Sequence, residues 1–192
     1  MKAIILIHEI YGKNRFISAQ CQYFARLGFH VCCPDLLNGQ TFSYGETDAA
    51  YACFYENAVR ASQLIWNLAD ELHTEYEAVY LVGYSAGATI AWQCSENDNC
   101  AGAVAFYGSR IRDYLHITPR CPTLLLFAQQ DSFDVLSVMK ALEGKPNTRL
   151  SLFPVSHGFF DPYAPAYDPA AAAAAGKQLQ VFLSGTKPPT IV

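Results

Sequence analysis

Ala78-Val79-Tyr80-Leu81-Val82-Gly83-Tyr84-Ser85-Ala86-Gly87-Ala88 is an apolar run that passes through Gly-x-Ser-x-Gly into a segment of helical pattern. A strand that turns directly into a helix through this pattern is a nucleophile elbow. The turn forces Ser85 into a strained backbone conformation with its hydroxyl projecting from the sheet, and only glycine leaves room two residues to either side. The stretch therefore points to an α/β fold and to acyl chemistry at Ser85.

Outward from the elbow, short apolar runs alternate with longer helical patterns, which is the signature of βαβ units and a parallel sheet covered on both faces. The predicted strands are Ala3–Ile7, Phe29–Cys33, Ala78–Val82, Ala101–Phe106, Thr123–Phe127 and Arg149–Phe153. The predicted helices are Arg15–Leu27, Thr47–His73, Ala86–Glu96, Ser132–Leu142 and Pro169–Leu183. Thr47 and Ser132 suit helix N-termini, Gly28 and Gly144 suit left-handed caps, and Pro169 suits a first helical position. The alanine run 170–175 offers a small-residue stripe for close packing on a sheet. Residues 186–192, with Pro188 and Pro189, read as a frayed tail.

The 192 residues fit a single domain, 1–192, and no repeat, linker or charge block divides them. A hydrophobic share of 52% against 16% charged residues excludes a disordered chain. Thirteen basic against seventeen acidic residues give a net charge of −4, so nucleic acid is not an expected partner. The apolar opening stops at His8 and Glu9, short of a signal-peptide core, and no run approaches the roughly 18 apolar residues of a membrane span. Seven cysteines form no even-numbered framework, so reduced thiols and a cytoplasmic location are expected, with no membrane partner. No clustered Cys or His pairs suggest a metal, and neither a dinucleotide fingerprint nor a P-loop is present, so no cofactor is expected.

A serine hydroxyl becomes a nucleophile only when a base takes its proton, which demands an acid and a histidine downstream in that chain order. His157 follows the last predicted strand, at the edge where open α/β sheets place their ligands. Asp131 lies in the loop after Thr123–Phe127. Asp134 is its competitor, but it falls in the first turn of the next helix, where a carboxylate is favoured for structural reasons. The oxyanion of acyl transfer needs two amide donors, one from Ala86 and one from the loop after the first strand, His8-Glu9-Ile10-Tyr11-Gly12.

The stretches Ile7-His8-Glu9-Ile10-Tyr11-Gly12, Cys33-Pro34-Asp35-Leu36, Gly83-Tyr84-Ser85-Ala86-Gly87, Phe106-Tyr107-Gly108, Asp131-Ser132-Phe133 and His157-Gly158-Phe159 occur in the order found in the dienelactone hydrolase family. The chain resembles that family over most of its length. The resemblance implies an α/β-hydrolase fold with an open, mostly parallel six-stranded sheet. It makes Ser85 the nucleophile, His157 the base and Asp131 the orienting acid. It also places the Ile10 and Ala86 amides in the oxyanion hole and Glu9 in an accessory role matching a buried family glutamate.

The enzyme that names the family has a cysteine nucleophile and two arginines that clasp a carboxylate. Here the nucleophile is Ser85, Asp161 stands where one arginine is expected, and the chain opens at the strand leading to Glu9, without the family's N-terminal antiparallel strands. The expected function is hydrolysis of small carboxylic esters or lactones through an acyl-serine. Tyr84, Tyr107 and Arg110 are the candidate substrate neighbours. A thioesterase or acyltransferase would use the same triad, and a hydrolase-fold binding protein with a vestigial site is the alternative from another class. Because Tyr107–Pro122 leaves only a loop where many relatives insert a cap domain, the expected site is shallow and suited to short acyl chains. A lid formed by Leu36–Glu46 is the competing picture.

Overall fold

The computed structural model describes residues 1–58 and 60–185. Six strands, β1 (Lys2–Ile7), β2 (His30–Cys32), β3 (Ala78–Tyr84), β4 (Gly102–Phe106), β5 (Thr123–Gln130) and β6 (Thr148–Ser156), form one parallel sheet in the order β2-β1-β3-β4-β5-β6. The helices are α1 (Arg15–Arg26), α2 (Thr47–Ala58), α3 (Ala61–His73), α4 (Ala86–Cys94), α5 (Val135–Leu142) and α6 (Pro169–Ser184). The predicted tail at 186–192 lies outside the described residues. Among the described residues no helix is long and apolar enough to cross a membrane.

Strand side chains alternate between the two faces. Ala3, Ile5, Ile7, Val79 and Leu81 pack against α2, α3 and α4, whereas Ile4, Leu6, Tyr80, Val82 and Tyr84 pack against α1 and α6. On α6, Ala171, Ala175, Leu179 and Leu183 recur every four residues and are buried, so the alanine run supplies the close-packing stripe. The same helix starts at Pro169 behind the Asp168 cap, whose side chain accepts from the Ala171 amide at 2.8 Å.

Two helix boundaries differ from expectation, and the β4–β5 loop agrees with it. The predicted helix 47–73 is two helices, α2 and α3. Ser132 does not cap α5; Asp134 does, its carboxylate accepting from the Ser137 amide at 3.1 Å and from the Ser137 hydroxyl at 2.6 Å. The loop between β4 and β5 contains a 3-10 turn at Ser109–Asp113 and no cap domain.

The strand order puts the site in place. From β1 the chain crosses to β2 on one side and then to β3 on the other, so the loops leaving β1 and β3 open side by side at the switch point. Ile7 is in register with Gly83, which sets the Ile10 loop beside the Ser85 elbow. Gln130 on β5 pairs with Ser156 on β6, and the His157 amide donates to the Gln130 carbonyl at 3.0 Å. Asp131 and His157 therefore leave the sheet as neighbours.

Candidate active site

The elbow begins with a backbone that only this local sequence tolerates. Ser85 sits at φ 50°, ψ −113°, a region that L-residues adopt at a cost. A Cβ on Gly83 would lie 2.2 Å from the Gly87 carbonyl oxygen, and one on Gly87 would lie 2.3 Å from that of Ile7. Glycine at both places lets β3, α4 and the end of β1 meet. The Ser85 amide donates to the Phe106 carbonyl at 2.9 Å, which ties the elbow to β4.

Ser85 Oγ lies 2.9 Å from His157 Nε2, and His157 Nδ1 lies 2.6 Å from Asp131 Oδ2. The second Asp131 oxygen accepts from the Ser132 amide at 2.6 Å and from its hydroxyl at 3.2 Å. Only 4% of the Asp131 side chain is exposed, against 32% for His157. The carboxylate is thus held on the inner side of the imidazole, and Nε2 is left facing the serine. The structure brings Ser85, Asp131 and His157 into one chain of hydrogen bonds and leaves Asp134 on the surface as the cap of α5.

The Ile10 and Ala86 amides border the same cavity as Ser85, and among the described residues neither has an acceptor. Ala86 is the first residue of α4, whose leading amides are orphaned by helix geometry. The β1 loop is braced by buried His8. Its Nε2 accepts from the Leu36 amide at 3.0 Å, so Nδ1–H donates to the Glu9 carbonyl at 2.7 Å. This is the neutral tautomer, in line with a pKa lowered chiefly by burial. Gly12, at φ 76°, ends the loop where a Cβ would strike the Gln40 carbonyl at 2.4 Å.

Glu9 is buried at 5% exposure and borders the cavity. Burial, and then the charge of Asp161, push its pKa up to about 8, so it is a protonated carboxyl at neutral pH. Asn14 donates to it across a long 3.5 Å. Asp161 is itself buried, its pKa raised by desolvation. It accepts from the Tyr44 hydroxyl and, at 2.8 Å, from the Tyr163 amide. Sequence reasoning noted Asp161 only as a departure from a family pattern and missed Tyr44. The pairing spans 117 positions, and no local signal announces it.

The three substrate candidates separate. Tyr84 and Tyr107 are fully buried and do not border the cavity. Tyr84 shares the α1 face of β3 with Tyr80 and Val82, and its hydroxyl donates to Gln20 at 3.1 Å. The period of two that sends Ser85 toward the cavity sends Tyr84 the other way. Tyr107, at φ 43°, instead packs its ring against that of His157, with centroids 4.8 Å apart. Arg110 does reach the rim, but its guanidinium pairs with Asp113 at 2.8 Å and donates to the Tyr51 hydroxyl at 3.3 Å.

The cavity is large. Its volume is about 1040 Å³, at the upper end for whole small-molecule ligands. Its walls come in part from the excursion between β2 and β3, through Tyr44, Tyr51, Phe54 and Tyr55, and in part from the β4–β5 loop, through Ser109, Arg110 and Tyr114. Where a cap domain is absent, α2 thus borders the cavity through Tyr51, Phe54 and Tyr55.

Comparison with known proteins agrees with this architecture. The sequence model of the dienelactone hydrolase family matches residues 1–185. Uncharacterized protein YczH of Bacillus subtilis (strain 168) is 37% identical over 165 residues, covering 83% of this chain and 81% of that protein. Carboxymethylenebutenolidase 1 of Cupriavidus pinatubonensis is 24% identical over 205 residues, covering 97% and 87%. Among solved structures, a dienelactone hydrolase-like promiscuous phosphotriesterase from metagenomic libraries superposes with a TM-score of 0.76. It shares 18% identity, with 96% of this chain and 86% of that one covered.

Proposed function

The chain belongs to the dienelactone hydrolase family, and from that premise we propose that it is a serine hydrolase of small-molecule carboxylic esters or lactones, with one α/β-hydrolase domain carrying the whole site. The observation that carries this reading is the unbroken line of hydrogen bonds from Asp131 through His157 to Ser85. Ser85 Oγ attacks the carbonyl carbon while His157 Nε2 takes its proton. Asp131 holds the opposite ring nitrogen, fixing the tautomer that leaves Nε2 able to accept. The carbonyl oxygen, now an anion, is met by the Ile10 and Ala86 amides, which have no other acceptor to give up. Collapse of the tetrahedral intermediate expels the alcohol, which takes the proton from His157 and leaves an acyl-serine. Water then enters by the same steps in reverse.

Glu9 contributes as a neutral neighbour. Two carboxyls buried together cannot both ionise cheaply, and a proton on Glu9 spares the site a second charge beside Asp161, whose oxygens accept from the Tyr44 hydroxyl and the Tyr163 amide. A carboxylate-bearing ester would meet the Asp161 charge, and Arg110 is already engaged.

The test is a panel of nitrophenyl esters, lactones and thioesters assayed with the wild type and with Ser85→Ala. Turnover of esters or lactones that is lost in Ser85→Ala supports the reading. Turnover confined to thioesters would move the assignment to a thioesterase, and turnover that survives Ser85→Ala would overturn it.

A further inference from the structure

The residues lining the cavity fall into two groups, here called its arms, and the chemistry decides which part of an ester each one takes. His157 must hand its proton to the departing alcohol, so the alcohol lies on the side bordered by Gly158 and Ala164–Ala166. The acyl chain is left with the other arm. That arm is bordered by Ala86, Thr89, Ile90 and Gln93, which stand at i, i+3, i+4 and i+7 on α4. They form one face of the helix, and a rise of 1.5 Å per residue carries the arm about 10 Å from the Ala86 amide to Gln93.

Phe54 packs in the same apolar cluster as Ile90 and closes the arm from α2. At its far end stand Gln93, Ser62 and Tyr114. Ser62 is fixed there because its carbonyl accepts from the Cys94 thiol at 3.3 Å, and Tyr114 because its carbonyl accepts from Trp92 Nε1 at 2.9 Å. These same three residues also border a second cavity of about 220 Å³, lined as well by Trp66 and His116. Gln93, Ser62 and Tyr114 therefore stand between the arm and the second cavity, a polar stop with a vestibule beside it.

We propose that this arm is an acyl-chain compartment and that the preferred substrates are esters of unbranched medium-chain acids. An extended chain of about eight carbons spans the roughly 10 Å between the oxyanion amide and Gln93. The proposal rests on the serine-hydrolase reading and reverses the short-chain expectation drawn from the missing cap domain.

The experiment measures kcat/KM for nitrophenyl esters from acetyl to dodecanoyl, using the wild type, Ile90→Trp and Gln93→Ala, with Ser85→Ala as the control. In the wild type kcat/KM rises with chain length by up to about fourfold per methylene, the ~0.8 kcal/mol of a buried methylene, and turns over near eight carbons. Ile90→Trp fills the arm one turn beyond Ala86 and moves the optimum to acetyl or butyryl. Gln93→Ala opens the stop into the vestibule and moves the optimum to longer chains, so the proposal stays testable if the tryptophan is not accommodated. A Ser85-dependent activity that declines steadily from acetyl overturns the compartment but not the hydrolase. A preference that tracks alcohol length in a series of acetyl esters does the same. No Ser85-dependent ester hydrolysis overturns both.

Discussion

Two aspartates three residues apart serve different ends, and their partners explain why. Asp131 spends its carboxylate on the His157 ring and on Ser132, whereas Asp134 spends its own on the first turn of α5. Asp131→Asn should lower turnover by about 10⁴, the cost of losing the orienting carboxylate in a serine triad. Asp134→Ala should leave turnover near wild type and lower only the melting temperature; the reverse ranking would move the acid. Glu9 offers a second test. Its pKa of about 8 in the fold lies above that of the unfolded chain, so between roughly pH 4.5 and 8 the native state holds a proton that the unfolded state has released. Stability contributed by this group is full below that window and falls as pH rises through it. In thermal melts Glu9→Gln should therefore lose less melting temperature than the wild type between pH 5 and 8, and parallel losses would contradict the assignment. The meeting of Ser85, His157 and Asp131 was legible because each follows a strand and their order along the chain fits a triad. Tyr84 does not border the cavity because strand alternation sends the neighbours of an inward-facing residue to the opposite face. Asp161 and Tyr44 were not legible, since a pairing across 117 positions exists only once the sheet has formed.

At the scale of elements, all six strands were legible to within a few residues, because each is an apolar run between helical patterns. The break between α2 and α3 was not. Ala50, Phe54, Ala61 and Ile65 are spaced by four, seven and four, so the buried stripe keeps helical period straight through the interruption, and neither glycine nor proline marks it. Ser132 was an acceptable cap by residue type, and Asp134 prevailed because β5 runs on to Gln130, past the predicted end at Phe127. The elbow is the element whose sequence and geometry constrain one another most. Gly87→Ala would drive a Cβ to 2.3 Å from the Ile7 carbonyl oxygen and 2.6 Å from that of His8, where backbone must give way. Urea denaturation should show a loss of about 1 to 3 kcal/mol, as for other overpacked sites, with turnover reduced because the Ile10 loop follows those two residues. Unchanged stability and turnover would mean that the close approach of β1 and α4 is not needed.

Across the whole molecule, the sheet edge carries Ser85, Asp131 and His157, and a lightly anchored helix forms part of the cavity wall beside them. Of the described side chains of α2, Ala50 and Phe54 are buried, whereas α3 buries Ala61, Ile65, Ala69 and Leu72 against the sheet. Its outer side is held by the Arg110–Tyr51 contact and by a 3.1 Å hydrogen bond between Tyr11 and Thr47. Hydrogen exchange should therefore be faster in α2 than in α3 or α4, and equal protection would show that the wall is as firmly built as the core. The cavity's size was the least legible feature in the sequence. It depends in part on where α2 comes to rest, and the missing cap between β4 and β5 says nothing about that. The central claim, that Ser85 is the nucleophile of one hydrolytic site, is tested most directly by treating the folded protein with a fluorophosphonate and reading the adduct by intact mass and peptide mapping. The account predicts a single adduct, on Ser85, that disappears in Ser85→Ala. A label that persists in that variant, or that maps to one of the cysteines, would contradict it.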